Sequence, residues 1–178
     1  MMSKTGSIIR VFILLILMVI GTTSCGVYSF TGTTITAETL SIQTFYNDAN
    51  NGPANLAVTF TDNLRDYYQQ NTSLSQVTGD GELQIEGSIS GYRLTPVAPS
   101  AAANIETNDQ ANLTRLTITI KVDYINLDDE EQNFTKKSFS FYADFDNDLG
   151  LTAVENELIQ VIYDQIILDI FNATVANW

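Results

Sequence analysis

Past residue 38 the chain moves between a period of two and a period close to 3.6. In "ETLSIQTFY" Leu40, Ile42 and Tyr46 fall on one side and Ser41 and Gln43 on the other, which predicts a half-buried strand over 38–46. "NGPANLAVTFTDNLRDYYQQN" then opens on a turn signal with Pro53 in the first turn. It sets Leu56, Phe60, Leu64 and Tyr67 or Tyr68 at helical spacing. After "TGDG" the period of two returns. "ELQIEGSISGY" alternates Leu83, Ile85, Gly87, Ile89 and Gly91 with Glu82, Gln84, Glu86, Ser88 and Ser90; the two glycines leave room for a helix to lie close. "RLTITIKVDYINL" and "KSFSFYADF" repeat the alternation on either side of the polar tip "DDEEQN". The last segment, from Thr152, is a helix whose Thr152 and Glu155 have capping-box spacing. Val154, Leu158, Ile162, Ile166 and Ile170 are joined by Ile159, Val161, Ile167, Leu168 and Phe171, so this helix needs cover on more than one side.

Strand, helix, three strands and helix add up to an α+β fold: a two-layer sandwich of about four mainly antiparallel strands with two helices packed on one face. The face away from the helices carries Gln84, Ser88, Ser90, Thr117, Thr119, Ser138 and Ser140. Water alone accounts for such a face in an antiparallel sheet. The rival reading is a polar docking surface. Between the second and third strands, residues 93–112 show no clear period and hold Pro96, Pro99 and an alanine run, which predicts a mobile or partner-ordered loop.

The first 24 residues belong to a different pattern. Lys4 and Arg10 precede an apolar block from Val11 to Ile20, the layout of a secretory signal peptide. That block is about half of the roughly 20 residues a membrane-crossing helix needs. Thr22, Thr23 and Ser24 precede Cys25, the single cysteine, as in a loose lipobox. The expectation is a lipoprotein signal over 1–24, a lipid anchor and N-terminal segment over 25–37 with the acyl group on Cys25, and one domain over 38–178. An ordinary signal peptide with a free thiol is the alternative.

Charge narrows the partners. All 21 acids lie beyond residue 24 and only six bases do, so the chain from Cys25 has a net charge of −15. Such a surface repels nucleic acid. With no histidine anywhere, the commonest general base and metal ligand is missing, and no enzyme, cofactor or metal is expected. "DFDNDLGLTAVE" puts Asp144, Asp146, Asp148 and Glu155 at calcium-loop positions 1, 3, 5 and 12, but Leu149 stands where such a loop needs glycine. Acids near a helix N-terminus are the simpler account. Lys136 and Lys137, with Lys121 and Arg115 on the neighbouring predicted strand, could meet a phosphate; more often such residues solvate a strand and guard its edge.

With "CGVYSFTGTTI" after the signal, "LTITIKV" and "FYADF" in the strands and "IFNATVANW" at the end, the chain resembles the LptE family over essentially all of 25–178. The resemblance implies a noncatalytic lipoprotein at the outer membrane. Its partner would be an LptD-type β-barrel, inside which it sits while lipopolysaccharide is delivered to the outer leaflet. A hydroxyl-rich face would suit the wet inner wall of a barrel. If lipopolysaccharide is touched directly, Lys136, Lys137, Arg115 and Lys121 are the candidates. The other readings are a periplasmic lipid-transport accessory holding a small apolar ligand between helices and sheet, and an enzyme using paired acids.

Overall fold

The computed structural model describes residues 36–97 and 113–175. The chain divides into two units, Met1–Thr31 and Gly32–Trp178, and the described residues belong to the second. Its strands are β1 (Thr39–Ile42), β2 (Tyr46–Asn47), β3 (Ser75–Gln76), β4 (Leu83–Pro96), β5 (Leu113–Asn126) and β6 (Phe134–Asp146); its helices are α1 (Leu56–Asn71) and α2 (Leu151–Thr174). The fold is α+β as expected, with two helices on one face of a mixed, mostly antiparallel open sheet ordered β3-β1-β4-β5-β6. The short β1, β2 and β3 supply its parallel pairings.

The single strand expected over 38–46 is two. β1 and β2 both run along β4, at Leu83–Ile85 and at Ser88–Ile89, with a break between them. At the break Phe45 turns inward and is buried, while Tyr46, expected inside, is exposed. α1 holds the break in place. Arg65 donates to the Ile42 carbonyl from Nε at 3.2 Å and from a terminal nitrogen at 2.7 Å. The Thr61 hydroxyl accepts the Phe45 N–H at 3.0 Å. The space Gly87 leaves is therefore filled by Phe45 and not by a helix: a Cβ there would stand 2.7 Å from the Phe45 ring and 2.1 Å from the Lys121 carbonyl oxygen.

A bulge between Ile89 and Gly91 shifts the register of β4 against β5. Beyond it the faces exchange: Gly91 lies opposite Thr119 on the polar side, and Tyr92 lies opposite Ile118 and is buried. β4 also runs further than expected, because Arg93–Pro96 stays paired as far as Thr114. Proline fits there. The Val97 N–H bonds to the Leu113 carbonyl, so the main chain of Pro96 faces away from β5 and its missing N–H costs no ladder bond. The rest of the expected loop, 98–112, and Cys25 with its signal lie outside the described residues.

α2 begins at Leu151, with Gly150 as N-cap at φ 70° and no side-chain capping bond. The capping box is not formed because the helix starts too early for it: Thr152 lies inside the first turn and not at the N-cap, and Glu155 instead accepts the Tyr92 hydroxyl at 2.5 Å. α2 is covered on two flanks, by the sheet and by α1, and leaves Val161 and Leu168 partly in solvent. Phe60 meets Phe45 and Tyr163 edge-on, both at 5.0 Å between centroids, and the Tyr163 hydroxyl donates to the Leu56 carbonyl at 2.9 Å. Burying each of these large side chains stabilises the fold by about 1.5–3 kcal/mol. Among the described residues no helix is long and apolar enough to cross a membrane.

Candidate functional site

Strand pairing gathers the expected polar face into rows. Ser88, Lys121 and Ser138 form one row, Gly91, Thr119 and Ser140 the next, then Arg93, Thr117 and Tyr142, and last Thr95, Arg115 and Asp144. Gln84 lies on the same face, opposite Ile125, and Ser90 sits at the bulge. Many of these groups already have partners. The Thr119 and Ser140 hydroxyls are 2.9 Å apart, Ser140 donates to the Ile118 carbonyl at 3.1 Å and Ser90 to the Thr119 carbonyl at 3.4 Å, and the Gln84 amide donates to Gly81 at 3.0 Å. Ser88 is buried, with Tyr46 beside it in the register, whereas Ser138 and Ser140 are exposed. The face is thus hydroxyl-rich and largely self-satisfied, and partners replacing its water need to supply few bonds.

Three of its residues are not among the candidates named from the sequence. Tyr46 and Tyr142, 59% and 46% exposed, set two phenol rings on the polar side. Arg93, inside the loop expected over 93–112, lies in β4. Strict alternation along "KSFSFYADF" already put Tyr142 among the serines; Tyr46 and Arg93 were hidden by the strand break and the bulge.

The four basic candidates do not converge. The Arg115 guanidinium grips Asp144 with two bonds of 2.7 and 2.8 Å and lies 3.6 Å from the centroid of the Tyr142 ring. Arg115 holds the Asp144 carboxyl below the usual aspartate range, and Asp144 raises the guanidinium in turn. Lys121 is six residues along β5, roughly 20 Å away at ~3.3 Å per residue. Lys137 turns to the helix side, its ammonium 4.8 Å from the Phe134 ring centroid. Lys136 occupies the bulge of β6 at φ 51°, its N–H held by the Asp123 carboxylate at 2.6 Å.

The acids of the calcium-like stretch separate as well. Asp144 pairs with Arg115, the Asp146 side chain accepts the Asp148 N–H at 2.9 Å, and Glu155 takes Tyr92. Among the described residues no three His, Cys, Asp or Glu side chains are grouped to hold a metal ion. Beyond β2 an open groove of about 770 Å³ runs beside β4, lined by Gly52, Pro53, Tyr92, Arg93, Leu151 and Glu155 among others. Burial and the Glu155 carboxylate push the Tyr92 phenol well above its ordinary pKa. With Arg93 and Glu155 in its walls this groove is mixed in polarity, not an apolar pouch between helices and sheet.

Fold and face together define an open α+β sandwich that hides its apolar side under two helices and presents a hydroxyl-rich sheet to its surroundings. Residues 37–174 match the model of a family described as LptE, lipopolysaccharide-assembly, and the chain belongs to that family. Membership implies a lipoprotein with a part in lipopolysaccharide assembly and a lipid anchor in a membrane. No curated protein matches the chain in sequence. Solved structures with some likeness include uncharacterized lipoprotein B from Nitrosomonas europaea, at 11% identity and TM-score 0.49 over 75% of this chain and 79% of that one. Rare lipoprotein B from Shewanella oneidensis follows at 10% and 0.47 over 76% and 89%, and a minor lipoprotein from Acinetobacter baumannii at 11% and 0.46 over 76% and 91%. Scores at this level say nothing of what this chain does.

Proposed function

We propose that this protein is a noncatalytic outer-membrane lipoprotein, held by an acyl group on Cys25, that plugs an LptD-type β-barrel and supports delivery of lipopolysaccharide to the outer leaflet. The observation that carries the reading is the polar face, in a member of a lipopolysaccharide-assembly family. Its hydroxyls from Thr117, Thr119, Ser138 and Ser140 are flanked by exposed Tyr46 and Tyr142, a surface matched to the wet and polar inner wall of a barrel. Scaffolding through shape and hydrogen bonds needs no group with a displaced pKa, no metal and no nucleophile. Direct lipopolysaccharide contact, if made, falls to Lys121 and Lys136 on the polar side, since Arg115 is neutralised by Asp144 and Lys137 faces the helices.

The test is to tag the C-terminus, extract outer membranes in mild detergent and identify by mass spectrometry what stays bound through a salt wash. A stoichiometric LptD-type barrel is expected, and it should be lost from a Thr119→Trp/Ser140→Trp variant that keeps its circular dichroism. Recovery of the lipoprotein alone, from an extract shown to contain the intact barrel, rejects the reading. Charge reversal at Lys121 and Lys136 should weaken lipopolysaccharide binding; unchanged binding removes both from contact.

A further inference from the structure

The two edges of the sheet are finished differently. One ends in β3, two residues long, which leaves little main chain to pair. The other ends in β6, 13 residues long, with no strand beyond it among the described residues. The register with β5 fixes which way its main chain points. Because the Leu113 carbonyl faces β4, alternation turns Leu116, Ile118 and Ile120 toward β6. Their partners Ala143, Phe141 and Phe139 face back toward β5. The N–H and C=O groups of Ser138, Ser140, Tyr142 and Asp144 therefore point outward, and among the described residues none of these groups has a main-chain partner. From Ser138 to Asp146 this edge has no proline and no bulge, two of the devices that usually blunt such a strand.

The side chains along it are self-complementary. When β6 is laid antiparallel to a second β6 with the two Phe141 residues opposite one another, Ser140 falls opposite Tyr142 and Ser138 opposite Asp144 on the polar side. Phe139 falls opposite Ala143 on the helix side, where Phe141 and Ala143 are only half-buried. At each flank Lys136 of one copy comes up to Asp146 of the other. Every outward donor meets an outward acceptor in this register, and both charged flanks are matched.

We propose that β6 is a homodimerisation edge: two copies of this chain pair strand to strand about a twofold axis between their Phe141 residues, forming one continuous sheet. Ser138 and Ser140 belong both to this edge and to the polar face, so a copy docked in a barrel has to release its twin. The dimer is the form that keeps the edge covered until docking.

Phe141→Cys in the full-length lipoprotein tests the register directly, since antiparallel residues opposite one another without mutual main-chain bonds have Cα atoms about 4.5 Å apart, within disulfide reach. A disulfide-linked dimer is expected under mild oxidation, and none from Thr119→Cys in the middle of the sheet. Adding Ser138→Pro, which removes an outward N–H and no bond to β5, should lower the cross-linked yield roughly tenfold. Lys136→Asp should lower it and Lys136→Asp/Asp146→Lys restore it, measured near physiological ionic strength, where the Debye length is about 8 Å and screens the net charge more than a direct pair. Folding of each variant is checked by circular dichroism. Absence of the disulfide-linked dimer from folded Phe141→Cys protein overturns the proposal, as does a dimer indifferent to both edge changes. An adduct of another mass in place of the dimer gives the edge to a different partner and overturns it too.

Discussion

β5 is one strand with two fates. Leu116, Ile118, Ile120 and Val122 have no exposed surface, while Thr117, Thr119 and Lys121 between them remain open to solvent. Valine, isoleucine and threonine are all good strand formers, so propensity does not separate the two sides. What separates them is cover. The helix side is closed by α1 and α2 and fails when its packing is disturbed. The polar side satisfies its hydroxyls within the sheet, as between Thr119 and Ser140, and so loses little when a surface of similar chemistry displaces its water.

The strongest way to break this comparison is Gly87→Ala. Its Cβ would meet main chain at 2.1 Å, which cannot give way as a flexible side chain would. A loss of about 3 kcal/mol or more is expected from urea titration, at or beyond the upper end of overpacking effects; a loss under ~1 kcal/mol would mean that β4 and β5 shift apart easily. Next come two neighbours on β5 measured side by side. Ile120→Ala should cost about 2–5 kcal/mol, and Thr119→Ala no more than ~1 kcal/mol, the worth of one hydroxyl bond. Equal costs would mean that the polar face is as structural as the core. Arg65→Met, which frees the Ile42 carbonyl, should cost about 1.5 kcal/mol and speed hydrogen exchange at β1 ahead of β5.

The smallest effect expected is that of acid. Asp144 is held low by Arg115, and Glu82 by the Glu38 and Thr39 N–H groups. Both carboxyls have folded pKa values below their ordinary ones of 3.8 and 4.5, so their stabilisation is fully present above about pH 4.5 and disappears as pH falls through the lower folded values. Both sit near the surface, where solvent screens them. Removing Asp144 with Asn should flatten the acid limb of a melting-temperature profile slightly; no change would leave the pair without a role in stability.

How far the sequence could be read follows the same division. Alternation placed β5 and β6 and their faces correctly, since nothing interrupts the period of two between Leu116 and Val122 or between Ser138 and Phe145. It failed where one residue breaks the period. Phe45 looks like part of a strand, yet the break at 43–45 depends on Arg65 and Thr61, 16 to 23 residues away. The bulge at Ser90 moved Gly91 and Tyr92 to faces opposite those expected, and the helix started at Leu151, ahead of the Thr152 that the capping box needs at the N-cap. Membership of the LptE family was legible in the strings along the chain. That Arg115 and Lys121 lie far apart along β5 was legible as well, but the Arg115 pairing with Asp144 needed the register of β5 with β6.

β1 is held at its start by Glu82, whose carboxylate accepts the Thr39 N–H at 2.9 Å across 43 residues of chain, and at its end by Arg65. Neither holds anything until α1 and the beginning of β4 exist. A strand that leads the domain yet depends on partners so far behind it must wait. When the whole chain refolds, the tip of the β5–β6 hairpin closes over a shorter span than the contacts of β1 with Arg65 and Glu82, and the leading strand is expected to complete the sheet after it. Slow steps in the maturation of this protein should therefore respond to changes at Glu82 and Arg65 more than to changes in the hairpin.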